Sequence, residues 1–164
     1  MITLQAPASK SVSHRMLIGA ALAPGESTVR HALFSADLER TRGILTAAGA
    51  VMTDLGGGSW SVTGMPAGPS GGSDAPVDCY VGESGTTCRL LTAVLAAGRG
   101  AFRVHGVERM NERPIGALTD ALSALGAHIG FEDKEGYPPL VIRTDGLSGG
   151  SVSLSIDASS QYLS

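Results

Sequence analysis

Apolar positions recur along the chain in blocks whose period switches between that of a helix and that of a strand. Met16, Leu17, Ile18 and Leu22 follow Ser9-Lys10-Ser11 at helical spacing, the run ends near Pro24-Gly25, and the short extended stretch Ser27-Thr28-Val29-Arg30 comes next. The pattern predicts a helix and then a strand. Leu90, Leu91, Val94 and Leu95 repeat it behind Ser84-Gly85-Thr86, ending at Ala97-Gly98 before Ala101-Phe102-Arg103-Val104-His105. The second helices of the two blocks end alike, in Leu45-Thr46-Ala47-Ala48-Gly49-Ala50 and Leu122-Ser123-Ala124-Leu125-Gly126-Ala127, each with a glycine where a helix commonly closes. Extended segments follow both: Val51-Met52-Thr53 with Ser59-Trp60-Ser61-Val62, and His128-Ile129-Gly130-Phe131 with Leu140-Val141-Ile142-Arg143. Each block therefore predicts strand, helix, strand, helix, strand, strand, and the fold class is α/β.

Self-similarity at a fixed period sets the organisation. Ser9 and Ser84 are 75 residues apart (84 − 9), and so are Ser84 and Ser159 (159 − 84), the last behind the strand-like Ser151-Val152-Ser153-Leu154-Ser155. The expected units are unit 1 at about 1–76, unit 2 at about 77–150 and the start of unit 3 at 151–164. A natural domain seldom stops at the first turn of a core helix, where a strand's apolar face would lose its cover. Residues 1–164 are therefore expected to be a partial domain of a longer chain. The Gly-, Pro- and Ser-rich stretch 64–76 predicts a surface loop, and Gly56-Gly57-Gly58 a hairpin turn.

Hydrophobic residues make up 43% and charged residues 16% of the 164, a packed-domain composition that excludes disorder over the whole length. The formal charge of -3 leaves no global basic field, so no nucleic-acid partner is expected and any anion must meet a local cluster. Cys79 and Cys88 have no metal-ligand spacing and form no secreted disulfide framework, which makes a reducing cytoplasm the default and a bound metal unexpected. The start of the chain lacks a basic leader and no stretch nears the ~20 apolar residues of a membrane span, so neither targeting nor a membrane is expected.

Four segments carry candidate chemistry. Ser9-Lys10-Ser11-Val12-Ser13-His14-Arg15 sits between strand and helix, where free N–H donors and the positive dipole end suit a phosphate; a serine cap with solvated Lys10 and Arg15 explains it equally. His14 is read as packing or surface. Gly82-Glu83-Ser84-Gly85-Thr86-Thr87-Cys88-Arg89 lets a ligand approach backbone at Gly85, lacks the lysine of a P-loop, and places Cys88 in the core. In Arg109-Met110-Asn111-Glu112-Arg113-Pro114-Ile115-Gly116, Pro114 is expected at the first helical position, with Arg113 at the helix entrance as a bidentate anion grip; a surface salt-bridge patch is the alternative. Ser159-Ser160-Gln161 offers neutral donors or a plain cap. If the three equivalent turns meet at one end of the domain, Lys10, Arg15, Arg89, Arg113 and the hydroxyls converge on one pocket for a small anion.

Pro7-Ala8-Ser9-Lys10-Ser11, Gly82 to Arg89, Arg109 to Gly116 and Ser159-Ser160-Gln161-Tyr162-Leu163, in this order, closely resemble the N-terminal part of the 5-enolpyruvylshikimate-3-phosphate synthase family. The resemblance implies a two-domain enzyme, each domain built from three βαβαββ units in an inverse α/β barrel-like arrangement. It implies transfer of the enolpyruvyl group of phosphoenolpyruvate to the 5-hydroxyl of shikimate 3-phosphate through a tetrahedral adduct, with release of phosphate, in chorismate and aromatic amino-acid biosynthesis. Neither metal nor organic cofactor is implied, and a monomer is expected. Carried over by motif, Lys10 lies between the substrates as the one catalytic candidate. Ser11, Arg15, Ser159 and Ser160 hold shikimate 3-phosphate; Gly85 and Arg113 hold phosphoenolpyruvate; Gln161 reaches both. The family's acid and base carboxylates belong to a C-terminal domain outside this sequence, so the piece alone is expected not to turn over. Ala8 and Glu83 depart from the family's usual glycine and asparagine. The related transferase acting on UDP-N-acetylglucosamine has Lys-Asn in place of Lys10-Ser11 and a cysteine shortly before the equivalent of Arg113, which residues 108–112 lack. A non-catalytic phosphate-binding module is the third reading.

Overall fold

A computed structural model of the chain describes residues 8–157 and 159–163. Helix α1 (Lys10–Leu22) leads through β1 (Glu26–Val29) to α2 (Ala36–Ala47), β2 (Val51–Gly56) and β3 (Ser59–Thr63). The second set runs β4 (Val77–Gly82), α3 (Gly85–Ala96), β5 (Arg99–Gly106), α4 (Gly116–Ala124), β6 (His128–Phe131) and β7 (Leu140–Asp145). One sheet has the order β1-β3-β2 and the other β4-β5-β7-β6. In both, the strand after the first helix pairs antiparallel with the last strand, which pairs antiparallel with the one before it. The strand β4, parallel to β5 across the α3 crossover, has its expected counterpart ahead of α1 in residues 1–7, outside the described residues.

Local chemistry explains where the helices start and stop. Ser9, Ser35 and Ser84 are N-caps, their hydroxyl oxygens accepting from the amides of Val12 (3.4 Å), Leu38 (3.3 Å) and Thr87 (3.2 Å). Gly49 and Gly126 follow α2 and α4 with φ of 117° and 111°, the left-handed backbone that glycine enters without a Cβ penalty. Between the strands β2 and β3 lies the expected glycine turn, and 64–76 is a loop fastened by isolated bridges from Ser70 to Arg99 and Gly72 to Ala101.

The core runs continuously through both sets, with Leu17, Leu45, Leu91, Leu95, Phe102 and Ile142 fully buried. Helix α3 lies at its centre: eight of its twelve residues are buried, as expected of a helix enclosed by its neighbours. Cys79 and Cys88 are free and buried, and burial pushes both thiols up to about 12, so Cys88 is a packing residue and not a nucleophile.

Two expectations are corrected. Helix α4 begins at Gly116 with Ile115 as its cap, so Pro114 lies ahead of the helix. The side chain of Ile115 is buried in the core and its amide donates to the carbonyl of Gly136 at 2.8 Å, which holds that residue at φ -136°, outside the helix. Among the described residues, 151–155 form no strand and pair with no sheet edge; Ser151, Val152 and Ser153 face Ala117, Asp120 and Ala121 of α4 across a surface groove. After it, residues 160–163 form a 3-10 turn rather than the start of an α-helix.

Candidate anion-binding site

Buried hydroxyls draw the N-terminal halves of α1, α2 and α3 together. His14 on α1 is fully buried, and its Nδ1 lies 2.9 Å from the Thr41 hydroxyl on α2. Thr41 meets the Thr87 hydroxyl on α3 at 3.0 Å, and Thr87 donates to the Ser84 hydroxyl at 2.7 Å. Thr87 also lies within 3.3 Å of the Asp37 carbonyl. Every side chain of this relay is at most 5% exposed, and such networks hold elements in one arrangement because a broken link leaves a polar group buried alone. Burial disfavours the charged imidazole and holds the His14 pKa below its ordinary value.

The 3-10 turn at 160–163 docks on the same end. The Ser159 hydroxyl accepts from the Gln161 amide at 3.2 Å, repeating the cap chemistry of Ser9 and Ser84 at the third position of the 75-residue period. Gln161 spans the first turn of α3, its Nε2 donating to the Thr86 hydroxyl at 2.9 Å and its Oε1 accepting from Arg89 at 3.3 Å. Tyr162 is buried, donates its hydroxyl proton to the Pro114 carbonyl at 2.9 Å, and lies under the Arg89 guanidinium at 5.8 Å.

Two cations meet over Gly85. A Cβ at this position would stand 2.8 Å from Nη1 of Arg89 and 2.9 Å from Nη1 of Arg113, so the missing side chain is what lets both guanidiniums reach the α3 N-terminus. Arg113 donates to the Glu83 carbonyl at 3.3 Å, and among the described residues the buried Nε of Arg89 has no partner and neither arginine pairs with a carboxylate. Like charges held together at the positive end of a helix dipole repel unless an anion sits between them. Beside them a cavity of about 310 Å³ opens between α1, α3 and α4, walled by Arg15, Ile18, Arg89, Leu118, Gln161 and Tyr162. Its wall is mainly apolar, completed by Gly19, Leu90, Ala93 and Val94, with Arg15 and Arg89 as the charged groups among the described residues.

The expected residues occupy this end unequally. Arg15, Arg89 and Gln161 share the cavity, and Gly85 and Arg113 lie at the adjoining helix turn. Ser11 is exposed on the first turn of α1, where its hydroxyl and carbonyl both accept from Arg15. Ser160 is exposed on the 3-10 turn. Lys10 does not line the cavity: its ammonium donates to Asp37 at 2.8 Å, and the other carboxylate oxygen of Asp37 meets Arg40 at 3.4 Å. Partial burial works against the charged carboxylate of Asp37, but the Lys10 hydrogen bond and the charges of Lys10, His14 and Arg40 outweigh it and hold its pKa below the usual range. Sequence reasoning passed over Asp37 because an acid two residues past a serine cap is the ordinary filling of a helix's first turn. Only the fold reveals it as the partner of Lys10, 27 residues away.

Comparison with known proteins agrees with this geometry. The sequence model of EPSP synthase (3-phosphoshikimate 1-carboxyvinyltransferase) matches residues 2–164. The 3-phosphoshikimate 1-carboxyvinyltransferase of Cellvibrio japonicus is 42% identical over 163 residues, covering 98% of this chain and 37% of that protein. Its counterpart in a Marinomonas species is 43% identical over 160 residues, with the same coverage of 98% and 37%. An EPSP synthase structure from Acinetobacter baumannii superposes with a TM-score of 0.85 at 28% identity, over 98% of this chain and 36% of that one. The chain thus spans little more than a third of the length of these relatives, and by its sequence and its fold it belongs to the EPSP synthase family.

Proposed function

We propose that this chain supplies the shikimate 3-phosphate site, and part of the phosphoenolpyruvate site, of a 3-phosphoshikimate 1-carboxyvinyltransferase. The observation that carries the reading is the meeting of Arg89 and Arg113 over Gly85, with Arg15 and Gln161 in the adjoining cavity wall and no carboxylate paired to either of the two meeting arginines among the described residues. In the reaction the 5-hydroxyl oxygen of shikimate 3-phosphate gives up its proton to a base and bonds to C2 of phosphoenolpyruvate while C3 gains a proton from an acid. The adduct then loses phosphate from C2 and a proton from C3, leaving the enol ether. On this reading Arg15, Ser11, Ser159 and Ser160 hold shikimate 3-phosphate. Arg113 and the open face of Gly85 receive phosphoenolpyruvate, Gln161 reaches both ligands, and Lys10 stands between them. Anchoring both anions at one helix end brings the hydroxyl to the acceptor carbon and lowers the entropic part of the barrier. The residues named here bind and orient; the acid and base of these proton transfers are assigned to a second domain, as the resemblance implies.

Calorimetric titration of the 164-residue chain with shikimate 3-phosphate, with UDP-N-acetylglucosamine as the comparison ligand, tests the substrate. Saturable binding of shikimate 3-phosphate alone is expected. Binding of the sugar nucleotide alone would transfer the chain to the related transferase reading.

A further inference from the structure

Resting on that reading, we infer that Asp37 is a positioning residue for substrate binding, acting through Lys10. A carboxylate beside an anion site is a cost to binding, because it offsets the attraction that a neighbouring ammonium offers a phosphate. Its presence here is accounted for by geometry. The Lys10 stem has four rotatable carbons and its side chain is half exposed, so without a partner the ammonium samples many positions and its ordering is charged against affinity when a ligand binds. Asp37 removes that freedom. Its Oδ2 holds the ammonium at 2.8 Å. Its Oδ1 is held in turn by Arg40 at 3.4 Å, whose guanidinium packs against Gly82 and over the Tyr80 ring at 5.9 Å. The carbonyl of Asp37 also lies 3.3 Å from the Thr87 hydroxyl on α3. The carboxylate is therefore fixed, through Arg40, to the strand-to-helix turn that carries Gly85, and it fixes Lys10, 27 residues from Asp37 in sequence, to that turn.

A purely structural Asp37, serving the first turn of α2, makes the opposite prediction for binding. Asp37→Asn would then leave the affinity for shikimate 3-phosphate unchanged or raise it, since a repelling charge is gone. The positioning role predicts a loss of roughly tenfold, the scale of one charge-assisted hydrogen bond. It further predicts that the loss vanishes in a Lys10→Ala background, and that Asp37→Glu recovers part of it.

The test is a double-mutant cycle on the 164-residue chain, with dissociation constants for shikimate 3-phosphate from calorimetry and melting curves to establish folding. Acylation of Lys10 by a small activated ester without ligand, followed by mass spectrometry, reads the contact separately and is expected to speed up in Asp37→Asn. Unchanged or tighter binding by Asp37→Asn, or losses that multiply in the double variant, would overturn the inference while leaving the substrate reading standing. Unchanged acylation would overturn it too. Failure of the unsubstituted chain to bind shikimate 3-phosphate removes the substrate reading and the inference with it.

Discussion

Gly85 shows how one missing side chain can matter to a site and little to a fold. Its φ is not in the left-handed region, and the atoms nearest an added methyl would be the far ends of Arg89 and Arg113 rather than backbone. Gly85→Ala is therefore expected to fold normally, with a melting temperature close to that of the parent, while displacing two guanidiniums. Affinity for phosphoenolpyruvate should fall more than affinity for shikimate 3-phosphate; equal losses in calorimetry would contradict the placement of the two ligands. Gly64 has the opposite character, since a Cβ there would meet the backbone oxygen of Ala23 at 2.0 Å, and its replacement should destabilise the chain outright. Arg15→Ala should weaken shikimate 3-phosphate binding by about 1–3 kcal/mol, the scale of a lost charge-assisted hydrogen bond, and an unchanged dissociation constant would remove Arg15 from the site.

At the scale of elements, the hydroxyl relay between α1, α2 and α3 is what places those residues. Thr87→Val keeps the side-chain volume but leaves the Thr41 and Ser84 hydroxyls without their shared partner, at an expected cost of about 1–3 kcal/mol in urea unfolding. A change below about 0.5 kcal/mol, the lower end for a net hydrogen bond, would show that the relay does not hold the helices together. The helices and most strands were legible in the sequence because their signals are local: serine caps, apolar periodicity and the closing glycines at 49 and 126. The misread elements depend on distant partners. The start of α4 is set by the buried Ile115 and by Gly136, well beyond the end of that helix, and 151–155 carries a strand-like alternation but among the described residues pairs with no sheet edge. The site divides in the same way. Arg15, Gly85, Arg113 and Gln161 stood out by motif, whereas the Lys10–Asp37 pair and the burial of His14 arise from contacts between helices that no spacing encodes.

For the molecule as a whole, these contacts give stability a definite dependence on pH. His14 is kept neutral in the fold with a pKa below 6.5, so its contribution is fully present above pH 6.5 and is lost as the pH falls through the lowered value. Asp37 has a folded pKa below 3.8, and its contribution is present above 3.8 and lost as the pH falls through that lower value. Both therefore destabilise the chain on acidification. Unfolding midpoints measured against pH should decline below 6.5, and His14→Asn should remove the upper part of the decline; a parent profile that stays flat from neutral pH down to the ordinary carboxylate range would contradict the buried neutral histidine.

On the proposed reading, three equivalent turns, 75 residues apart in sequence, build one anion site at a single end of the fold. Amide proton–nitrogen spectra of the 164-residue chain, recorded during titration with shikimate 3-phosphate, test this most directly. Saturable shifts with one common midpoint are expected at residues 9–15, 84–89 and 159–162, with the outer strands β2 and β6 unmoved. Shifts confined to one of these turns, or spread over the sheets without saturation, would contradict a single shared site.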